Sequence, residues 1–135
     1  MNILRAFDVS ASALVAQKTR MNTIASNMAN LNTTRTPEGG PYRRRDVVFS
    51  SYMLDEEGGL EGVGVSDIVT SNKPPKAVYD PGNPDADKKG YVLMPDINLI
   101  EEMVNMMMAT RVYEANVNAF NITKSMYMKA LELGK

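Results

Sequence analysis

The sequence predicts an α+β protein in which two long terminal helices bracket a small, β-rich central segment. Three observations carry that expectation. Each end of the chain has a heptad-spaced apolar pattern, and the middle consists of short β-prone runs broken by Gly and Pro. Between the first helix and the middle lies an abrupt seam, ASNMANLNTTRTPEGGPYRRR, from Ala25 to Arg45. A chain framed in this way is expected to assemble with other chains. Its 135 residues suit one ordinary domain, organised as a terminal helical part, 1–34 with 96–135, and a central part, 35–95, that opens with an extended loop at 35–45.

The first helix is expected over about Asn2 to Leu31. Phe7, Leu14, Met21 and Met28 recur every seven residues, Ile3, Ile24 and Leu31 fall in the same frame, and Ala11 and Ala25 widen the stripe. Arg5, Asp8, Ser12, Thr19, Thr23, Ser26 and Asn30 project roughly opposite. A one-stripe helix of this kind is roughly 45 Å long at about 1.5 Å per residue.

The central segment offers the runs Val47-Val48-Phe49, Gly62-Val63-Gly64-Val65, Ile68-Val69-Thr70 and Tyr91-Val92-Leu93. Gly58-Gly59, Lys73-Pro74-Pro75 and Asp80-Pro81-Gly82-Asn83-Pro84 separate them as turn signals. Strands this short enclose little core, so the segment has to pack on something else. Its prolines favour edges and loops.

The last helix is expected over about Asn98 to Leu133. Leu99, Met106, Tyr113, Phe120 and Tyr127 form one heptad frame, joined by Met103, Val117 and Leu131. A second apolar set, Val104, Met108, Ala115, Ala119, Ile122 and Met126, projects to the far side. Asn105, Asn116 and Thr123 run between them on one flank, and Arg111, Glu114, Asn118 and Lys129 on the other. One partner helix covers one stripe, so the second calls for neighbours from other chains. Asn22, Asn27, Asn30, Asn105, Asn116, Asn118 and Asn121 lower the intrinsic helicity of both segments. Helices weakened in this way hold only when packed, and loose termini are expected in an isolated subunit.

Composition excludes several function classes. Cys and His are absent, which removes thiol and imidazole nucleophile pairs, disulfides and most zinc sites. A net charge of −1 gives no positive field for nucleic acid or for direct lipid binding, although Tyr42-Arg43-Arg44-Arg45 and Arg35 are locally cationic. Asp80, Asn83, Asp85, Asp87 and Gly90 resemble a calcium loop. Framed on Asp85, however, Lys89 stands where a ligand oxygen belongs and Asp96 where Glu belongs. Asp55-Glu56-Glu57 beside Gly58-Gly59 lacks an apolar pocket to raise a carboxyl pKa. The eleven methionines suit adaptable packing better than soft-metal ligation. No enzyme activity, cofactor or metal is expected. Arg5, Asp8, Lys18 and Arg20 interrupt the first 24 residues, so no signal peptide or membrane span is expected there.

Specific motifs then converge. The pattern A-x-N-x-A-N-x-N-T-T over Ala25–Thr34 resembles the rod and hook family of the bacterial flagellum. The longer connection from Thr33 through Pro37-Glu38-Gly39-Gly40-Pro41 to Tyr42-Arg43-Arg44 is similar to the proximal rod branch of that family. So are Asp46-Val47-Val48-Phe49, Val78-Tyr79-Asp80-Pro81-Gly82, Pro84-Asp85-Ala86-Asp87 before Gly90-Tyr91-Val92, Met94-Pro95-Asp96-Ile97-Asn98 and Arg111-Val112-Tyr113-Glu114-Ala115-Asn116. Met28, Leu31 and Asn121-Ile122-Thr123 depart from its more alanine-rich pattern.

The resemblance implies a structural subunit of the basal-body rod, the axial shaft that crosses the periplasm and transmits torque to the hook. It further implies export through the flagellar type III apparatus without a cleaved signal, and terminal helices paired as an antiparallel coiled coil. The implied partners are further copies of this chain, other proximal and distal rod proteins, and the junction of the rod with the export gate and MS ring. Residues expected to pack or to touch a neighbouring subunit are Phe7, Leu14, Met21 and Met28 on the first helix. Asn27, Asn30, Asn32, Thr33, Thr34, Arg43 and Arg44 are expected to do so in the seam, and Met106, Met108, Tyr113, Asn116, Phe120, Ile122 and Met126 on the last helix. Two rival classes are a cytoplasmic coiled-coil adaptor or export chaperone, and a metal-regulated binding module built on the loop from Asp80 to Gly90.

Overall fold

The computed structural model describes residues 3–135. The expected helix start at Asn2 lies outside them. Helix α1 (Ile3–Ala29) is followed by strands β1 (Arg45–Asp55), β2 (Leu60–Thr70), β3 (Lys76–Tyr79) and β4 (Tyr91–Met94), and helix α2 (Leu99–Leu133) closes the chain. The strands form two separate antiparallel hairpins, β1–β2 and β3–β4. The architecture is α+β, as expected.

The central segment is more regular than its sequence suggests. The runs at 62–65 and 68–70 are one strand, β2, paired along nearly the whole of β1. Their apparent break is a bulge: Val48 pairs with Asp67 and Phe49 with Val65, which leaves Ser66 extra. A second irregularity between Met53 and Asp55 leads into the turn at Glu56-Glu57-Gly58-Gly59. There Gly59 has φ +62°, which a side chain would oppose. Strand β3 was not foreseen, because prolines stand on both sides of it.

Helix α1 is the centre of the molecule. One side carries α2 and the other carries the β1–β2 hairpin, while α2 lies against no strand. Phe7 meets Phe120 and Tyr127 edge-on, at centroid distances of 4.8 and 6.5 Å. At the other end of α1, Asn27 reaches Glu102. The two helices are therefore antiparallel.

The face of α2 that meets α1 runs Glu102, Met106, Ala109, Tyr113, Asn116, Phe120, Thr123 and Tyr127, all buried or half-buried, at steps of four and three. Met103 and Leu131, grouped with this stripe from sequence, are instead exposed, since each sits beside the seam and not on it. On the other side of α1, Ser12 accepts a hydrogen bond from the Val63 amide at 3.1 Å, and Arg5 pairs with Asp55 at 2.5 Å. Gly62 makes this approach possible: a Cβ there would stand 3.0 Å from the Ser12 hydroxyl and 3.1 Å from Leu54.

Helix α2 begins where Asn98, in extended conformation, accepts hydrogen bonds from the amides of Ile100 and Glu101. The carboxylates of Glu101 and Glu102 in its first turn complement the helix dipole.

Candidate assembly site

The seam folds back between the helices and the hairpin. Asn30 ends α1 by returning its side-chain amide to the Ser26 carbonyl, and its own oxygen accepts from the Thr33 hydroxyl. The Tyr42 amide donates to the Thr33 carbonyl and closes a loop from 33 to 42. Inside that loop, Gly39 and Gly40 stand at φ +88° and +74°, left-handed geometry that explains the paired glycines before Pro41.

Fully buried Asn27 holds the joint. Its Nδ2 donates to the Arg45 carbonyl at 2.8 Å and to Glu102 Oε2 at 3.3 Å. Its Oδ1 accepts from the Arg45 amide at 3.0 Å and from the Tyr42 hydroxyl at 2.9 Å. The side chain thus pairs with both backbone groups of Arg45 as a neighbouring strand would, and β1 begins at that residue. Its two donors and two acceptor lone pairs are all used.

Glu102, also fully buried, takes the Arg44 guanidinium on its other oxygen, and Arg44 further meets Asp46 at 3.4 Å. Burial works against the charge on Arg44. The hydrogen bond and charge of Glu102, with the help of Asp46, outweigh it and hold the guanidinium pKa above its ordinary value.

A second clasp fixes the β3–β4 hairpin to the same loop. The Thr34 hydroxyl donates to Asp85 at 2.6 Å, and Arg35 pairs with the other oxygen. The Thr34 hydrogen bond, followed by that of Arg35 and its charge, lowers the Asp85 pKa. The loop expected to resemble a calcium site is therefore tied by protein donors. Among the described residues no cluster of acidic side chains is arranged to hold a metal ion.

Most of the seam residues expected to pack or to touch a neighbouring subunit make packing contacts within the chain. Asn27, Asn30, Thr33, Thr34 and Arg44 all have partners within the chain, which leaves exposed Asn32 and Arg43 pointing outward. Phe7, Met106, Tyr113, Asn116 and Phe120 lie half-buried along the helix pair, and Leu14, Met21 and Met28 are also half-buried on α1. Asn116 and Thr123 return their side chains to the carbonyls of Val112 and Ala119 in their own helix.

Met108, Ile122 and Met126 are 55%, 61% and 59% exposed. With Val104, Ala115 and Ala119, also exposed, they form an apolar face that nothing within the described chain covers. Among the described residues no helix is long and apolar enough to cross a membrane. Sequence reasoning missed Glu102. Its signal was position, since it stands three residues after Leu99 and four before Met106, on the face of α2 that meets α1.

Known proteins show the family to which a chain with this uncovered face belongs. Residues 7–35 match the family described as flagella basal body rod protein, and residues 88–133 match the C-terminal family of flagellar basal body rod FlgEFG proteins. The flagellar basal-body rod protein FlgC of Escherichia coli is 47% identical over 135 residues, covering all of both chains. Those of Salmonella typhimurium and Bacillus subtilis are 46% and 44% identical, again over the whole of both chains.

The chain belongs to the FlgC family of flagellar basal-body rod proteins.

It is a structural subunit of the rod, and the relationship spans helices and hairpins alike. In this rod protein the two matched regions are the two partners of the helix pair. The first ends in the seam at Arg35, and the second enters through β4. The adaptor and metal-module readings give way to that assignment.

Proposed function

We propose that this rod subunit builds the proximal part of the flagellar axle, with the α1–α2 pair forming the inner wall and the hairpins packed outside it. The uncovered apolar face of α2 carries the reading, because a helix covered on one side only needs neighbours on the other. In the assembled rod, α1 and α2 wind as a coiled coil, a geometry supported by the four-and-three spacing of the residues along their contact. The neighbours are further copies of this chain, other rod proteins, and the base where the rod meets the export gate and MS ring. Torque passes through these contacts because closely packed interiors deform little. The subunit reaches the periplasm through the flagellar type III apparatus. Charged Arg5, Asp8, Lys18 and Arg20 along α1 fit that route.

Deletion of residues 124–135 tests the reading. It removes Met126 and Tyr127 from the two faces of α2 and leaves the β1–β2 hairpin on α1. The expected outcome is loss of rod assembly and swimming, with the strand signal of the purified chain retained. Normal motility from the truncated chain would refute the role of α2 in assembly.

A further inference from the structure

We propose that the groove between α1 and the β1–β2 hairpin receives the outer face of α2 from a second copy of this chain, head to tail. The inference rests on the rod-subunit reading and names one contact within it. The groove has a volume of about 430 Å³, and its walls include Ala11, Val15, Tyr52, Leu54 and Val63. Val15, one of the residues that line it, is 67% exposed. The chain cannot fill this groove itself, because its own α2 lies against the opposite side of α1 and touches neither strand.

The ligand surface is equally defined. On α2, Met108, Ala115, Ala119, Ile122 and Met126 share one stripe, and the two alanines in its middle let another backbone approach closely. Arg111 and Lys129 stand on one flank of that stripe, beside Glu114, about 27 Å apart at the rise of a helix. Neither has an ion pair among the described residues. Asp8, on the groove, has none either. An apolar stripe flanked by Arg111 and Lys129 thus faces an apolar groove with Asp8 at its edge. The two surfaces differ and lie on opposite sides of α1, so the contact is heterologous and repeats without closing into a dimer. Such a contact suits a shaft.

The chain contains no cysteine, which makes the test clean. Val15→Cys and Met126→Cys chains with different tags are co-expressed, and basal bodies are purified and oxidised. A cross-linked species carrying both tags is expected, and none when Met126→Cys is paired with Lys88→Cys on the β3–β4 loop. Both tagged chains present in basal bodies without that species, or cross-linked instead to another rod protein or between two Met126→Cys chains, overturn the proposal and leave the rod assignment standing. Absence of the wild-type tagged chain from basal bodies would strike the rod assignment itself. The contact is then read in the purified full-length chain by sedimentation equilibrium at low salt. There Asp8→Lys and Lys129→Glu each weaken self-association about threefold, as expected for an exposed ion pair, and the double variant restores it. Equal weakening in the double variant, or a wild-type chain that stays monomeric at millimolar concentration, overturns the proposal.

Discussion

Arg44 and Glu102 show how unevenly one ion pair can depend on its two members. Glu102 is fully buried, whereas the Arg44 side chain keeps 26% of its surface and a second carboxylate, Asp46, within reach. Removing the arginine therefore strands a buried charge with only Asn27 for company. Arg44→Met should cost about 3 kcal/mol in a urea titration of the purified chain. Arg44→Met combined with Glu102→Leu should recover more than half of that, and equal losses in the single and double variants would contradict this account. Asp85 makes a prediction in pH. Its folded pKa is depressed by Thr34 and Arg35, so the stability it contributes is complete above the ordinary aspartate value. That contribution fades as pH falls through the window from about 4 downward. The melting temperature of Asp85→Asn should lie below that of the wild type at neutral pH, and the gap should close on acidification. A gap that stays constant to pH 2 would show that Asp85 acts through something other than its charge.

Among the elements, the β1–β2 hairpin depends most on a single small residue. At Gly62 any side chain meets Ser12 and Leu54. Gly62→Val should push the hairpin off α1, break the Ser12–Val63 hydrogen bond and cost about 2 kcal/mol. Faster exchange of the Val63 amide, with the amides of Met106 and Tyr113 unchanged, would check this. Both helices were legible in the sequence almost to the residue, because their apolar residues recur at helical intervals over about seven turns or more. The hairpins were legible only as fragments. Gly62, Gly64 and the extra Ser66 interrupt the alternation that marks a strand, and β3 is four residues long between prolines. The polar joint was half legible. Asn27 stood out by type, but its partners Arg45 and Glu102 lie 18 and 75 positions away, and no local pattern connects them.

At the scale of the whole molecule, the apolar residues that are deeply buried among the described ones are few: Ala16, Ile24, Tyr42, Val92, Ile97 and Ala109. Far more large apolar side chains lie at the surface, above all along α2. Such a subunit gains stability from its neighbours, so its melting temperature should rise with protein concentration. A value that stays constant from micromolar to millimolar protein would mean that the isolated fold is complete. The looseness expected of both termini then falls mainly to the end of α2, since α1 is covered on two sides. The joint at Asn27 has a mechanical side as well. Apolar seams resist being pulled apart but can slide, because burial has no preferred direction. Hydrogen bonds have one. Four of them converge on Asn27, and two of these grip the backbone of Arg45 where β1 begins, so the start of the hairpin is held against shear along α1. Sideways displacement of the hairpin along the helix is the motion that this joint opposes.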